Sequence, residues 1–397
     1  MILVPVEPKM TEYLHRKASR LGLPLAGTFE LTPLCNLNCR MCYVRMSKTK
    51  QESIAPLHTA KEWISLGQRL MEKGMVYLLL TGGEPFLRKD FKEIMQGLHR
   101  LGLIISINSN GLLITDEVVE WLKETPPVRI NITMYGACDE TYERLCGDPH
   151  GFTKVTASIE RLRKAGITVK LNCSLTPYNV CDLKDIIEWA KEHGLIIQAT
   201  SYMFPPVRKD PERFGDNERF SPEEAAYYSA KIEQYLNGDE AFLKRYADNS
   251  FTGLSGEIEE DCMDTGKEGA DGTSCEVCEG DPMWCRAGKC SYWITWDGRC
   301  LPCGMFEESA VGNVFEMDFD SCWELARKQA SAIRLPVKCK TCSMKMLCKT
   351  CAAMVYSETG GFSEVPSYRC TMARSYMDAC KQVRDEILSK REGAMHG

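Results

Sequence analysis

Three cysteines in one short loop, Cys35, Cys39 and Cys42, have the residue type and spacing that most directly suggest chemistry. A [4Fe–4S] cluster is normally held by four cysteine thiolates, one on each iron. Three thiolates with x3-x2 spacing can hold three irons and leave the fourth open to another ligand. Zinc sites more often repeat an x2 pair further along the chain, so this triplet fits zinc poorly. The loop therefore predicts a cluster with one open iron.

The triplet and its neighbours, from Thr32 to Tyr43, resemble the radical S-adenosylmethionine (SAM) superfamily. In that superfamily the open iron binds the amino and carboxylate groups of SAM, and one electron from the cluster cleaves SAM to a 5′-deoxyadenosyl radical. The resemblance implies that the three cysteines are the catalytic cluster ligands. It implies SAM and a [4Fe–4S] cluster as cofactors, and it places Tyr43 beside the adenine.

Motifs at three later strand ends resemble the rest of the family's SAM site. The first is a turn in which glycines permit a close backbone approach, made of Gly82, Gly83, Glu84 and Pro85. It matches the motif that binds the SAM amino group. Asn108 ends the third predicted strand and Thr133 the fourth, where the family's Ser or Thr contacts the ribose. Without a ligand role, Asn108 would simply belong to a turn. Thr133 would then be present only because threonine favours β-strands. The next polar residues are expected at the surface: Arg144, Cys146 and His150.

Cysteines are concentrated late in the chain, since 14 of the 21 lie after residue 260. No secretion signal precedes them, so they predict metal or cluster ligation rather than disulfides. Their pattern is Cys285-x12-Gly298-x4-Cys303, then Cys339-x2-Cys342-x5-Cys348-x2-Cys351, then Cys370. It resembles the SPASM domain, a C-terminal extension of many radical SAM enzymes that holds two auxiliary [4Fe–4S] clusters. Two zinc ribbons are the alternative, because paired Cys-x2-Cys groups also bind zinc.

The SPASM resemblance implies two interleaved ligand sets. An outer cluster would be held by Cys339, Cys342, Cys348 and Cys370. An inner cluster would be held by Cys285, Cys303 and Cys351, with Cys290 as first choice for the fourth ligand, ahead of Cys300, Cys275 and Cys278. An inner iron left open for substrate is the alternative. Cys351 departs from the family spacing by one position, where Ala352 stands. The cysteines left over are Cys262, Cys275 and Cys278. They would either contribute a pair of ligands to a zinc ion or a cluster, or be reduced thiols without a ligand role.

A β–α alternation follows the triplet and predicts an α/β fold with a parallel sheet. Strands are predicted at 27–31, 76–80, 104–107, 128–133, 169–174 and 196–199, and helices near 59–73, 89–101, 116–124, 153–165, 182–193 and 222–246. The resemblance implies a partial (β/α)6 TIM-like barrel with its chemistry at the carboxyl ends of the strands. A doubly wound sheet is the alternative that the pattern leaves open.

Five segments are predicted along the chain. They are a lead-in (1–26), the radical SAM partial barrel (27–235), a bridge (236–284), a small Cys-rich SPASM domain with two auxiliary iron–sulfur clusters (285–371), and a C-terminal helix and tail (372–397). The net charge of −6 argues against a nucleic-acid partner. No apolar run is long enough for a membrane span, and no signal peptide is evident. We therefore expect a cytoplasmic protein without membrane contact.

SPASM-bearing enzymes act mostly on peptides and proteins, so the resemblance favours oxidative modification of a ribosomally made peptide. The candidate modifications of the peptide are crosslinking, desaturation and epimerisation. An auxiliary cluster would take the second electron, and a flavodoxin or ferredoxin would serve as reductant. No leader-binding module precedes Cys35, so a separate leader-binding protein or direct recognition by the barrel is expected.

Three alternatives remain. A small-molecule dehydrogenase or synthase also fits the missing leader module. A non-catalytic cluster or zinc scaffold fits the Gly82-Gly83-Glu84 motif poorly. The sulfatase-maturing branch carries an Asp base after its Pro-Cys, whereas Gly304 follows Cys303 here. The remaining candidates for a role at the barrel mouth are Tyr202 as a base and Arg208 as a carboxylate ligand, since an Arg does not act as a base.

Overall fold

The computed structural model describes residues 8–206, 218–247, 280–306 and 312–395. The chain packs as two units, Met1–Phe220 with Trp284–Ile333, and Ser221–Met283 with Arg334–Gly397. The five segments predicted from the sequence were defined by their expected functions, whereas these two units are defined by packing. The five segments therefore stay a prediction. Four residues singled out from the sequence lie outside the described ranges: Arg208, Cys262, Cys275 and Cys278.

One eight-stranded sheet forms the core of the first unit. Its strands are β1 (Ala26–Glu30), β2 (Tyr77–Thr81), β3 (Ile104–Ser109), β4 (Arg129–Thr133), β5 (Val169–Ser174), β6 (Ile196–Thr200), β7 (Ser291–Ile294) and β8 (Cys300–Leu301). They are ordered β6-β5-β4-β3-β2-β1-β7-β8. All neighbouring pairs are parallel except β7 and β8. The six predicted strands are confirmed, and β7 and β8 extend the sheet at the edge of β1, which the sequence did not predict.

The strand order decides between the two folds that the sequence left open. A doubly wound sheet reverses its strand order at a switch point, whereas β1 to β6 follow one another in chain order. Tyr43 follows β1 and Phe204 follows β6, and their ring centroids are 6.5 Å apart. Five strand spacings in a flat sheet would span about 24 Å. The sheet therefore curls as a barrel does, and the predicted partial barrel is confirmed.

Nine helices are described in the first unit. They are α1 (Lys9–Leu21), α2 (Lys48–Ile54), α3 (Ala60–Glu72), α4 (Phe91–Arg100), α5 (Asp116–Glu124), α6 (Asp139–Cys146), α7 (Gly151–Lys164), α8 (Leu183–Glu192) and α11 (Phe319–Ala332). Ile105 and Ile107 of β3 are buried, whereas Ser106 and Asn108 alternate with them and are partly exposed. Apolar and polar positions thus face opposite sides of the sheet. Among the described helices, none combines the length and the apolar character that a membrane crossing requires.

The second unit is helical. Its helices are α9 (Pro222–Asn237), α10 (Asp239–Arg245), α12 (Val337–Lys340), α13 (Lys345–Cys348), α14 (Ala352–Thr359) and α15 (Ser367–Met395). Gly238, at φ 85°, separates α9 from α10, so the predicted helix over 222–246 is broken once. Glu386 of α15 accepts hydrogen bonds from the Tyr227 hydroxyl at 2.9 Å and from Lys231 at 3.4 Å. These bonds tie α9 to the long helix that carries Cys370.

Candidate active site

The cysteine triplet lies in the loop after β1 and is held by the end of α6. The backbone N–H of Asn38 donates to the carbonyl of Cys146 at 3.0 Å, and that of Arg40 donates to the carbonyl of Leu145 at 3.0 Å. The last carbonyls of a helix have no partner within the helix, so α6 offers two acceptors to the loop. The expectation that Cys146 lies at the surface is wrong, because it is 1% exposed.

Hydrogen-bond donors point at the sulfur atoms of the triplet. The backbone N–H of Leu37 lies 3.4 Å from Cys35 Sγ, and that of Arg45 lies 3.2 Å from Cys42 Sγ. The side-chain amide of Asn110 lies 3.6 Å from Cys35 Sγ. Such donors stabilise thiolate sulfur and help to set the reduction potential of a cluster. The loop therefore fits a ligated state of its cysteines.

Cys39 has a second thiol beside it. A hydrogen bond with Cys146, together with burial, raises the pKa of the Cys39 thiol well above its ordinary value, while a bond with Tyr135 opposes this. Burial and the neighbouring Cys39 likewise raise the pKa of Cys35. Without metal these thiols are protonated at neutral pH. Because cluster ligands are thiolates, loading this loop releases protons.

Gly82 and Gly83 lie against the backbone that leads into the cysteine loop. The Gly83 N–H donates to the Thr32 carbonyl at 2.7 Å, and the Glu84 N–H donates to the Leu34 carbonyl at 2.9 Å. A Cβ on Gly82 would stand 2.4 Å from the oxygen of Thr32, and one on Gly83 would stand 2.2 Å from that of Leu34. The sequence explained these glycines by the approach of a ligand. The structure shows that they permit the approach of the cysteine loop.

We expect Gly83→Ala to displace the cysteine loop, because the added methyl group meets a backbone oxygen rather than a flexible side chain. Purified anaerobically, the variant should lose most of the iron assigned to the early cluster and melt at a lower temperature. The stability loss should be at least about 2 kcal/mol, in the range of severe overpacking. Gly361→Ala is the matched control, because a Cβ there meets nothing within 4 Å. Equal iron content in the two variants would contradict this account.

Glu84 is fully buried and its carboxylate faces the end of β3. It accepts hydrogen bonds from the N–H of Asn110 at 2.7 Å, the hydroxyl of Ser109 at 2.9 Å and the N–H of Phe86 at 3.1 Å. Burial raises the pKa of Glu84 to about 7, although these bonds oppose the shift. The side chain thus fixes the turn whose Asn110 reaches Cys35. With no exposed area, it is a positioning residue for the loop.

The raised pKa of Glu84 predicts a pH dependence of stability. Between pH 4.5, near the ordinary pKa of a glutamate, and about pH 7, Glu84 is ionised in the unfolded chain but protonated in the folded one. Because the folded state then binds the extra proton, the free energy of unfolding falls as the pH rises through this window. The loss should reach at most about 3 kcal/mol by pH 8. Glu84→Gln cannot ionise, so its melting temperature should rise relative to that of the wild type between pH 5 and pH 8. A difference in melting temperature that stays constant with pH would contradict this.

The other predicted SAM-site residues lie at the same end of the sheet. Asn108 accepts a hydrogen bond from Asn131 at 2.8 Å, and half-buried Thr133 pairs in register with Asn172. Pro85 begins a 3₁₀ turn, Pro85–Leu87. Tyr202 is 6% exposed and packs edge-on against Phe204 with ring centroids 5.1 Å apart. Ser109 and Asn110 were not selected from the sequence, although their position directly after Asn108 could have indicated them.

Four late cysteines assemble within the second unit. Burial raises the pKa of the Cys339 thiol, and so do the nearby thiols of Cys370, Cys348 and Cys342, in that order. Burial raises the pKa of Cys370, with Cys348 and Cys342 again close by. They are the four cysteines of the predicted outer set. Four thiols from two segments, brought together without a disulfide, have the number and type that a [4Fe–4S] cluster uses.

The predicted inner set is divided between the units. Cys285 and Cys303 belong to the first unit and Cys351 to the second, and all three are half-buried. Cys290 is fully buried beside Ala18 and Leu25, and the Ser19 hydroxyl donates to its sulfur at 3.1 Å. Burial alone does not exclude a ligand, since Cys39 is also buried, so the role of Cys290 as the fourth ligand stays a prediction. The inner ligand set stays a prediction.

Within the described ranges, no three Cys, His, Asp or Glu side chains stand close enough to hold a single metal ion. A cubane cluster places each cysteine on a different iron, so its sulfur ligands stand further apart than those around one tetrahedral zinc. A compact set around one metal ion is therefore not what the predicted cluster ligands require.

Family models match both halves of this arrangement. The radical SAM superfamily matches residues 29–190, and the SPASM iron–sulfur cluster-binding domain matches residues 285–352. The chain therefore carries a radical SAM domain, and members of that superfamily are enzymes. It also carries a SPASM domain, so its cofactors are SAM, a [4Fe–4S] cluster that binds SAM, and auxiliary iron–sulfur clusters.

Curated relatives match to different extents. The AdoMet-dependent heme synthase of Methanosarcina barkeri is 29% identical over 87% of this chain and 96% of its own length. The sporulation killing factor maturation protein SkfB of Bacillus subtilis is 33% identical over 44% of this chain and 42% of its own length. The solved structure of native anSMEcpe with bound AdoMet is 18% identical, with a TM-score of 0.63 over 92% of this chain and 100% of that one. This last likeness supports the fold alone.

Proposed function

We propose that the chain oxidises its substrate by two electrons, one removed with a hydrogen atom at the SAM site and one taken up by the late cysteine clusters. The assembly of Cys339, Cys342, Cys348 and Cys370 in one unit carries this proposal, because a reaction without net oxidation needs no second electron acceptor. When bound, the early cluster and SAM supply the 5′-deoxyadenosyl radical that removes the hydrogen atom. Cys35, Cys39 and Cys42 would hold that cluster.

The remaining residues of the site would bind and orient SAM. The backbone of Gly82 and Gly83 lies beside the cysteine loop and would accept the SAM amino group there. Tyr43, packed near Phe204, would lie beside the adenine, and Thr133 would contact the ribose. Asn108 and Pro85 complete the rim at the ends of β3 and β2. Tyr202, nearly buried against Phe204, would shape the rim rather than meet the substrate.

For the substrate we propose a ribosomally made peptide. SkfB supports this class, since its name assigns it the maturation of a sporulation killing factor and it is 33% identical over 44% of this chain. We place recognition of the peptide at the barrel mouth or on a separate leader-binding protein. A flavodoxin or ferredoxin would supply the electron that starts each turnover.

A small molecule is the second candidate, and one observation specifically favours it. The heme synthase relative matches 96% of its own length, so its resemblance extends through both domains, whereas that of SkfB stops at 42%. The substrate would then be a porphyrin or a molecule of similar size. Both candidates use the same two-electron oxidation, so the reaction proposal does not depend on the choice.

One experiment separates the two substrates. The protein would be expressed anaerobically in deuterated water with short peptides encoded beside its gene, and peptide masses would be recorded. Loss of two hydrogens from one peptide would support oxidative peptide modification, and a gain of one deuterium would indicate epimerisation and contradict the oxidation. If no peptide changes, the purified protein would be incubated with SAM, reductant and porphyrins, and oxidation of the porphyrins would be measured. Oxidation of a porphyrin would replace the peptide proposal.

A further inference from the structure

The segment that carries most of the outer cysteines is strongly basic in an acidic protein. Between residues 334 and 349 it contains no Asp or Glu, while the whole chain has a net charge of −6. Its cationic residues alternate with the cysteines: Arg334, Lys338, Lys340, Lys345 and Lys349. All five are exposed, and Lys345 pairs with Asp281 at 2.5 Å. We call this surface, with its two short helices α12 and α13, the lysine face.

Apolar side chains and one cluster cysteine are exposed in the same segment. Val337 is 48% exposed and Met346 is 50% exposed. Cys342 is exposed, whereas the other three cysteines of the outer set are half-buried. Lys349 has φ 45°, and it is the one non-glycine residue in the described part of the chain with a left-handed backbone. Such backbone strain is commonly found at functional sites.

This combination matches the surface by which electron-transfer proteins meet. Their interfaces are small and short-lived. Charge complementarity speeds the encounter of the two proteins, and exposed apolar side chains form the buried core of their interface. A basic rim around an exposed cluster ligand selects a partner with an acidic rim around its own redox group. Among the described residues, no carboxylate forms an ion pair with Lys338 or Lys349, so both are available to such a partner.

We propose that the lysine face docks an acidic one-electron carrier protein, such as a flavodoxin or an acidic ferredoxin, and exchanges electrons with the outer cluster. This inference rests on the proposed ligand set of that cluster. In turnover, the electron left by the substrate radical reaches the outer cluster, and the oxidised carrier removes it and is itself reduced by one electron. No bond forms or breaks at this face.

The test measures electron transfer at the clusters alone, without SAM or substrate. An acidic flavodoxin in its hydroquinone form is mixed with the oxidised holoenzyme, and the second-order rate of cluster reduction is followed by stopped flow. The double variant Lys338→Glu/Lys349→Glu should react at least tenfold more slowly at low ionic strength. Raising the salt concentration should remove most of that difference, because exposed charges are then screened.

A control with the same charge change separates docking from net charge. Lys244→Glu/Lys390→Glu alters two exposed lysines of the same unit, and Lys390 lies 20 residues beyond Cys370 on α15, about 30 Å along the helix. The control should keep at least half of the wild-type rate. Iron content and cluster absorbance must equal those of the wild type. If the double variant loses its cluster, Lys338→Glu alone, with Lys390→Glu as its control, gives the same comparison.

Two outcomes would overturn the proposal. One is an equal rate in the lysine-face and control variants. The other is a variant that transfers electrons normally but binds an acidic substrate peptide more weakly, which would assign the lysine face to peptide recognition. Because SAM and substrate are absent from the rate measurement, failure of the proposed oxidation would leave this result unaffected.

Discussion

Cys39→Ala should reduce SAM cleavage to the background rate while leaving the late clusters in place. Cys39 is the central cysteine of the loop and is 6% exposed, and its neighbours Asn38 and Arg40 are hydrogen-bonded to the end of α6. A cluster with only two loop thiolates would be lost or would not bind SAM productively. The measurement is 5′-deoxyadenosine formed by dithionite-reduced protein, together with iron and sulfide content.

The control for this variant is Cys181→Ala, which removes an exposed thiol outside every predicted ligand set. It should cleave SAM at the wild-type rate. Iron content in Cys39→Ala should fall by the equivalent of one cluster. Two results would contradict the assignment: 5′-deoxyadenosine formation near the wild-type rate, or loss of all clusters together.

The second large effect is expected for Cys348→Ala, which should separate SAM cleavage from substrate oxidation. Cys348 belongs to the four thiols of the outer set and lies near Cys370 and Cys339. Without that cluster the second electron loses its proposed route from the substrate radical to the carrier protein, even if the inner cluster is kept. Oxidised product should fall at least tenfold, whereas 5′-deoxyadenosine should still form.

The comparison for this variant is Cys380→Ala. Cys380 lies on the same helix as Cys370 but is fully buried and outside the ligand sets, so its loss tests a cavity in α15 without removing a ligand. It should lower the melting temperature and keep the ratio of product to 5′-deoxyadenosine. Product formation by Cys348→Ala at the wild-type ratio would contradict an electron-accepting role for the outer cluster.

The sequence predicted the barrel because its signals are local. Short apolar strands alternate with amphipathic helices from β1 to α8, and each element shows its own periodicity. The strands were therefore predicted to within two residues. The sequence missed α6, a short helix with few apolar residues, and with it the buried position of Cys146. It also missed β7 and β8, because pairing with β1 depends on contacts across more than 200 residues.

The residues of the site were chosen from the sequence and their roles stay predictions, whereas the placement of their side chains is seen only in the structure. Spacing alone identified the cysteine loop, since residue type and register are all that a triplet requires. The same motif predicted ligand contact for Glu84, which stays a prediction; the structure adds the hydrogen bonds of its carboxylate with Ser109 and Asn110, which the sequence does not show. Spacing along a chain does not reveal the direction of a side chain.

Electron paramagnetic resonance with labelled SAM tests the central claim most directly. A variant without Cys339, Cys342, Cys348 and Cys370 would be reduced by one electron and mixed with SAM labelled with ¹⁷O in its carboxylate or ¹⁵N in its amino group. We predict that SAM shifts the cluster signal and that the labels show coupling to the iron, because the loop of Cys35, Cys39 and Cys42 leaves one iron open. An unchanged signal, with no coupling to either label, would contradict a SAM-binding cluster at this loop.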